Sequence, residues 1–198
     1  MLTAIGDVLR RCYERGWITT RDGNCSLRRA RSIYLYVTPS GWRKTIIHPE
    51  HIVKIRFVNG HLQVPDGSNP SGELHMHYLL TRGMTRTRAV VHVHPTHVVA
   101  AIYRGFDIQK ICRDFPEIYR YTRIGPTVPA LPAISQELGD ATARALGVTA
   151  DNPAGDFDIV GQANHGVCSI ASDPWSAYEH IERLDHICEI VLNSGISP

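Results

Sequence analysis

Residues 90–97 read Val90-Val91-His92-Val93-His94-Pro95-Thr96-His97, and the rest of the chain is read outward from them. The apolar run Ala89 to Val93 has the composition of a buried strand, and Pro95 stops it because proline has no N–H to give to a ladder. Side chains two apart on a strand share a face, so His92 and His94 present two imidazoles side by side at the strand end. The pair has two readings. They are two ligands of one metal ion, since zinc and its neighbours accept neutral imidazole and a catalytic site typically uses about three protein ligands. Or they are polar side chains meeting water on a half-exposed strand. A third ligand has to come from elsewhere. His165, in Ala163-Asn164-His165-Gly166, is the first candidate, against the reading of an ordinary turn residue. His97 falls past Pro95 on a new element, and His48, His51, His61, His180 and His186 read as surface or packing residues.

Helices and strands alternate around this stretch. Leu2, Ile5, Leu9, Cys12 and Tyr13 recur at helical spacing, and Gly16 stops that helix. Ile33 to Val37 is β-rich and runs into the turn Thr38-Pro39-Ser40-Gly41. His51 to Val58 and Leu62 to Val64 read as strands joined at Asn59-Gly60, a hairpin signal. Glu73 to Leu80, Thr96 to Tyr103 and Ser135 to Leu146 read as helices. Ile124 to Val128 reads as a short strand, and Phe157–Val160 and Val167–Ile170 as strands around the turn Gln162–Gly166. Asp173 caps a last helix with Pro174 in its first turn. Its buried stripe is Tyr178, Ile181, Leu184, Cys188 and Val191. This pattern predicts one α/β domain over residues 1–198, a mixed or antiparallel central sheet covered by helices.

A net charge of +2 over 198 residues gives no footing for nucleic acid or a membrane surface. No apolar run reaches the ~18 residues of a membrane-spanning helix. The first ten residues lack the basic and apolar regions of a signal peptide, so a cytoplasmic location is expected. Five scattered cysteines without a Cys-x-x-Cys pair fit reduced thiols better than a disulfide framework.

Pro70-Ser71-Gly72-Glu73 opens the second helix, with His77 four residues on and on the same face. Glu73 is either a carboxylate favoured by the helix dipole or a general base beside a metal. Spacing alone leaves both open.

Taken together, these segments resemble the class II aldolase/adducin family, in particular fuculose-phosphate aldolase and its relatives. Gly23-Asn24-Cys25-Ser26 matches the family's Gly-Asn-x-Ser, and Thr38–Gly41 its Thr-Pro-Ser/Thr-Gly turn. Pro70–Glu73 with His77 resembles its Pro-Ser-Ser-Glu and later histidine. Val90–His94 matches its metal strand, and Asn164-His165-Gly166 its late Asn/His-His-Gly. The resemblance covers almost the whole chain. It implies a three-layer α/β fold whose central, mostly antiparallel sheet is flanked by helices. It also implies a zinc-dependent aldolase (manganese or cobalt as alternatives) acting through a metal-stabilised enediolate on a sugar phosphate or related hydroxy-carbonyl compound. His92, His94 and His165 would be the ligands and Glu73 the catalytic acid/base. Asn24, Ser40, Gly41, Ser71 and Gly72 would lie in the phosphate pocket, and homotetramers with sites between subunits are expected by analogy.

The same fold hosts dehydratases, decarboxylases and epimerases. Glu73 argues against the pentose-phosphate epimerases, which carry aspartate there. A non-catalytic adducin-like interaction module would lack the histidine set. Three departures stand out. Gly72 replaces a second serine, and a hydrogen bond to a charged group is worth roughly 1.5–3 kcal/mol. Arg21-Asp22 replaces small residues, one attracting a phosphate and one repelling it. No counterpart of the aldolase's C-terminal tyrosine follows the last helix. Tyr121 or Tyr119 is the candidate substitute as proton donor, the competing reading being that these tyrosines pack under a loop.

Overall fold

The computed structural model describes residues 1–58 and 60–198; Asn59 of the Asn59-Gly60 turn signal lies outside the described residues. The strands are β1 (Asn24–Arg28), β2 (Tyr34–Val37), β3 (Val53–Val58), β4 (His61–Gln63), β5 (Arg88–Val93), β6 (Ile159–Gln162) and β7 (Gly166–Ala171). They form one sheet in the order β4-β3-β2-β1-β5-β7-β6, and every ladder in it is antiparallel. The helices are α1 (Thr3–Glu14), α2 (Leu74–Thr81), α3 (Thr96–Tyr103), α4 (Ile108–Cys112), α5 (Pro116–Tyr119), α6 (Gln136–Ala145) and α7 (Pro174–Asn193).

Strand alternation sorts the core into two layers. Cys25 and Leu27 of β1, with Ala89, Val91 and Val93 of β5, pack under α1, α3 and α7. Val90, Val160, Cys168 and Ile170 face the other way, under α2 and α6. Strand β5 is buried along its whole length because both faces are covered, which is why it reads as a near-continuous apolar run. The expected three-layer α/β architecture with an antiparallel sheet is the one observed.

Several local expectations need correction. Residues 24–28 form a strand that the Asn-Cys-Ser composition did not announce. Ile124 to Val128 contributes only two isolated parallel bridges, Ile124 to Ile159 and Val128 to Gln162, because the prolines and glycine around it interrupt a ladder. Tyr13 leaves the buried stripe of α1, which is Ile5, Val8, Leu9 and Cys12, and faces solvent. The third strand starts at Val53, two residues late, because Pro49–His51 is a 3-10 turn. The short helices α4 and α5 lie in a stretch that sequence patterning left without structure.

All five cysteines are unpaired and buried. Burial raises their thiol pKa values, that of Cys112 to about 12, so they behave as small apolar side chains. No described helix is long and apolar enough to cross a membrane.

Helix α7 starts where expected. The Asp173 carboxylate accepts from the Trp175 and Ser176 amides, each at 3.0 Å, and the stripe Tyr178, Ile181, Leu184, Cys188 and Val191 is buried. One charged side chain joins that face. The carboxylate of Asp185, 2% exposed, accepts from Trp17 Nε1 at 2.9 Å and from His97 Nδ1 at 3.1 Å. It also accepts from the amides of His97 at 3.0 Å and Val98 at 3.3 Å, two orphan donors at the start of α3. Asp185 thus ties α7 to the turn that follows β5. Asp185→Ala leaves these buried donors unmet and is expected to lower unfolding stability by about 3 kcal/mol, read from urea melts. A loss under about 1 kcal/mol would show that water replaces the carboxylate.

Candidate active site at the end of the central strand

Register brings the site together. Asn24 of β1 stands opposite His92 of β5, and His92 opposite Cys168 of β7, so His92 sits in the middle of the sheet, 1% exposed. Its Nδ1 lies 2.9 Å from the carbonyl of Val167. A carbonyl only accepts, so Nδ1 carries a proton, and Nε2 is the nitrogen turned to the cavity. His94 follows on the same face, with Nε2 3.2 Å from His92 Nε2.

The third imidazole comes from the β6–β7 turn, and the backbone explains its neighbours. Asn164 has φ 58°, the left-handed region in which asparagine is tolerated. A Cβ on Gly166 would lie 2.4 Å from the Val93 carbonyl oxygen and 2.7 Å from the His94 ring, so only glycine allows β7 this close to β5. Between them His165 turns inward. The ligand nitrogens of His92, His94 and His165 all lie within 4.8 Å of one another.

Glu73 faces this triad. It is the N-cap residue of α2, and Ser71 shapes the turn by accepting the Glu73 amide at 3.3 Å. The two loops that carry the Ser-Gly pairs are stitched to each other. Ser40 N donates to Asn69 O at 2.8 Å and Ser71 N to Thr38 O at 3.0 Å. The Glu73 carboxylate approaches His92 Nε2 to 3.2 Å and His165 Nε2 to 3.9 Å.

A buried chain of hydrogen bonds stands behind it. Asn24 Nδ2 donates to Glu73 Oε2 at 2.8 Å. A carboxylate only accepts, so the Asn24 oxygen is turned to His77 Nε2, 2.6 Å away, which must then carry the proton. His77 Nδ1 is left to accept from the Ser26 hydroxyl at 2.7 Å. The four side chains are fully or almost fully buried.

Burial lowers His77 to about 4 against the field of Glu73, so its ring is neutral. Burial, aided by His92 and His165, lowers His94 to about 4, and His165 is lowered by burial and His92. Burial would raise Glu73, but His92, the Asn24 amide, His165 and His77 together outweigh it and hold the carboxyl below its ordinary range. The centre therefore offers the neutral imidazoles of His94 and His165 and an anionic carboxylate at neutral pH. Glu73 Oε1 and His165 Nδ1 are buried without a hydrogen-bond partner among the described residues. Three convergent imidazoles beside a carboxylate with an unmet oxygen fit a divalent transition metal.

The ligand, acid/base and phosphate-pocket candidates Asn24, Ser40, Gly41, Ser71, Gly72, Glu73, His92, His94 and His165 line one cavity of about 190 Å³, and Tyr121 and Tyr119 do not. Tyr121 is 52% exposed on the surface, with Arg120 and Arg183 over its ring, and Tyr119 is exposed as well, so neither packs under a loop. His97 points away to Asp185. Sequence reasoning missed Lys44, Ala133 and Ile134 in the cavity wall, and the part played by Ser26. Ile134 has φ 67°, costly for a β-branched residue at roughly 1–3 kcal/mol. A Cβ on Gly72 would come within 3.0–3.1 Å of Ile134 Cγ2 and Cδ1, so the glycine makes room for Ile134.

The profile described as Class II Aldolase and Adducin N-terminal domain matches residues 3–192. Among curated proteins, the 3-oxo-tetronate 4-phosphate decarboxylase of Escherichia coli K12 is 29% identical over 194 residues, covering 94% of this chain and 83% of that enzyme. The methylthioribulose-1-phosphate dehydratase of Yersinia pestis is 30% identical over 118 residues, 54% of this chain and about half (52%) of that enzyme. In fold, the L-fuculose-1-phosphate aldolase of Thermus thermophilus aligns with a TM-score of 0.73 at 20% identity, over 96% of this chain and 92% of that one.

Elemental analysis of protein purified without added metal is expected to find about one divalent transition ion per chain. His92→Ala, His94→Ala and His165→Ala should each lose it, whereas His97→Ala should keep it. A metal-free protein that neither zinc, cobalt nor manganese reconstitutes would overturn the ligand assignment.

Proposed function

The chain belongs to the class II aldolase and adducin family, and on that premise we propose that it is a divalent-metal-dependent carbon–carbon lyase acting on a small, sugar-phosphate-like hydroxy-carbonyl compound. One observation carries the reading: a buried carboxylate, Glu73, lies beside three converging imidazoles inside a small cavity. His92, His94 and His165 would hold the ion, zinc first and manganese or cobalt as alternatives. When bound it supplies Lewis-acid polarisation of the substrate carbonyl.

The chain's own residues supply the proton transfer. Glu73 carries the proton to or from the carbon next to the carbonyl. Asn24 fixes the carboxylate from behind through Glu73 Oε2, and His77 and Ser26 fix Asn24. The loops holding Ser40, Gly41, Ser71 and Gly72 would seat the far, anionic end of the substrate, and the cavity volume suits a small molecule.

Two carbon–carbon cleavages use this arrangement and differ in the leaving fragment. Retro-aldol cleavage needs a second group to take the proton of the β-hydroxyl. Tyr121, exposed and outside the cavity, could do so only in a neighbouring copy, as in the expected homotetramer. Loss of carbon dioxide from a β-keto acid needs no such group, because the leaving fragment carries no proton. The enolate left behind takes up one proton from solvent water, relayed to carbon by Glu73, and the decarboxylase match over most of the chain supports this form. Decarboxylation is therefore the leading reading, with aldol cleavage second.

The test is a product screen over ketose phosphates, 3-oxo-sugar-acid phosphates and their unphosphorylated forms, following carbon dioxide and aldehyde separately. Carbon dioxide without aldehyde supports decarboxylation, and aldehyde supports the second reading. Loss of water alone would overturn carbon–carbon cleavage. Glu73→Gln should retain metal, lose turnover by about 100-fold or more, and stop exchanging the enolisable C–H for deuterium. Near-normal turnover in that variant would show that another group moves the proton.

A further inference from the structure

Lys44 is 2% exposed, an unusual state for a lysine, and it forms part of the wall of the active-site cavity. Its ammonium touches two carbonyl oxygens, Trp42 O at 3.2 Å and Pro39 O at 3.5 Å. Among the described residues no carboxylate lies within the 4.0 Å of an ion pair. An ammonium has three protons to donate, and two carbonyls account for two of them. Burial pushes Lys44 below the ordinary lysine value; Asp22 opposes this and Arg21 adds to it. A buried cation is expensive unless a counter-charge meets it, and here the protein supplies only the more distant Asp22.

The cavity wall that carries Gly72 has the opposite character. At Gly72, where the family's second serine hydroxyl would stand, the aliphatic side chain of Ile134 fills the space. The amide of Ser40 is already engaged by Asn69, which removes one backbone donor from the same loop. A substrate anion entering between these walls meets fewer neutral donors than the serine-rich arrangement offers, and one buried charge instead.

We propose that Lys44 is the specificity-determining cation of this cavity, pairing with the terminal oxyanion of the substrate in place of the hydroxyl that Gly72 lacks. The ligand class is a small hydroxy-carbonyl compound ending in a phosphate monoester or a carboxylate. The burial of Lys44 itself, 2% exposed, strengthens such a pair in the lowered local dielectric. This rests on reading the cavity as a lyase site and adds to it how the substrate is held.

Calorimetric titration with inorganic phosphate, and separately with acetate, tests the assignment on the metal-loaded protein. Lys44→Gln keeps a donor for the Pro39 and Trp42 carbonyls while removing the charge. It is expected to weaken phosphate binding by about 10- to 100-fold with metal content unchanged, and Lys44→Arg should restore most of it. Lys44-dependent binding of acetate in preference to phosphate also supports the proposal, with a carboxylate as the anion. Phosphate and acetate both held as tightly by Lys44→Gln as by the wild type overturn it. Should Lys44→Gln fold poorly, Gly72→Ser gives an independent reading. The added side chain presses on Ile134, and if charge dominates, phosphate affinity should rise by no more than a few-fold. A gain of 10-fold or more would show that the hydroxyl, not the cation, limits binding. Glu73→Gln separates the two levels: it should abolish turnover and leave phosphate binding intact, so failure of the lyase reading shows in turnover and failure of this one in binding.

Discussion

Asn24 faces His92 across the β1–β5 ladder, and that one register pair carries the rest of the site. It brings the amide that holds Glu73 beside the imidazole that Glu73 contacts. Because side chains alternate, a slip of one residue would send His92 into the apolar layer under α1, α3 and α7 and turn Val91 or Val93 into the cavity. The apolar layers therefore do more than stabilise the sheet. Val90 packs under α2 and α6 while Val91 packs under α7, and each penalises the slipped pairing. The close approach of β7 at Gly166 locks the other side of the same strand.

Behind Glu73, the charge is held by the direction of the hydrogen bonds. From Ser26 through His77 and Asn24 to Glu73, every hydrogen bond donates toward the carboxylate. The order of donors follows from the one member that can only accept, and each ring or amide has a single orientation that satisfies its neighbours. A buried carboxylate is tolerable under those terms because one oxygen is bonded and the other faces the triad. His94 and His165 complete the arrangement as neutral rings, since burial disfavours their protonated forms.

Much of this is legible in the sequence, and the limits have physical causes. The pair His92 and His94 follows from strand alternation, and Glu73 with His77 from helix spacing, because both periodicities are local. Asn164-His165-Gly166 is readable as a motif, although its reason lies in a left-handed asparagine and a close strand approach. Strand β1 escaped notice because Asn24 and Ser26, whose polarity argues against a strand, are satisfied by α2 rather than by water. Lys44 escaped notice because a lysine after a turn reads as solvent-exposed, and only the closing of two loops buries it. Tyr121 illustrates the reverse: its chemistry suited the site, but its position on the surface depends on the packing of α5 against α7, which no local pattern encodes.

The Asp185 anchor makes the fold optically self-reporting. Trp17 is 2% exposed, its indole N–H is bonded to that carboxylate, and its carbonyl accepts the amide of His94 at 3.0 Å. Trp42 and Trp175 are 42% and 40% exposed. The blue edge of the tryptophan emission therefore belongs to a single residue tied to the end of β5 at His94 on one side and to α7 on the other. A shift of that edge toward the red registers separation of α7 from the strand that carries the histidines, without any label being attached to the protein.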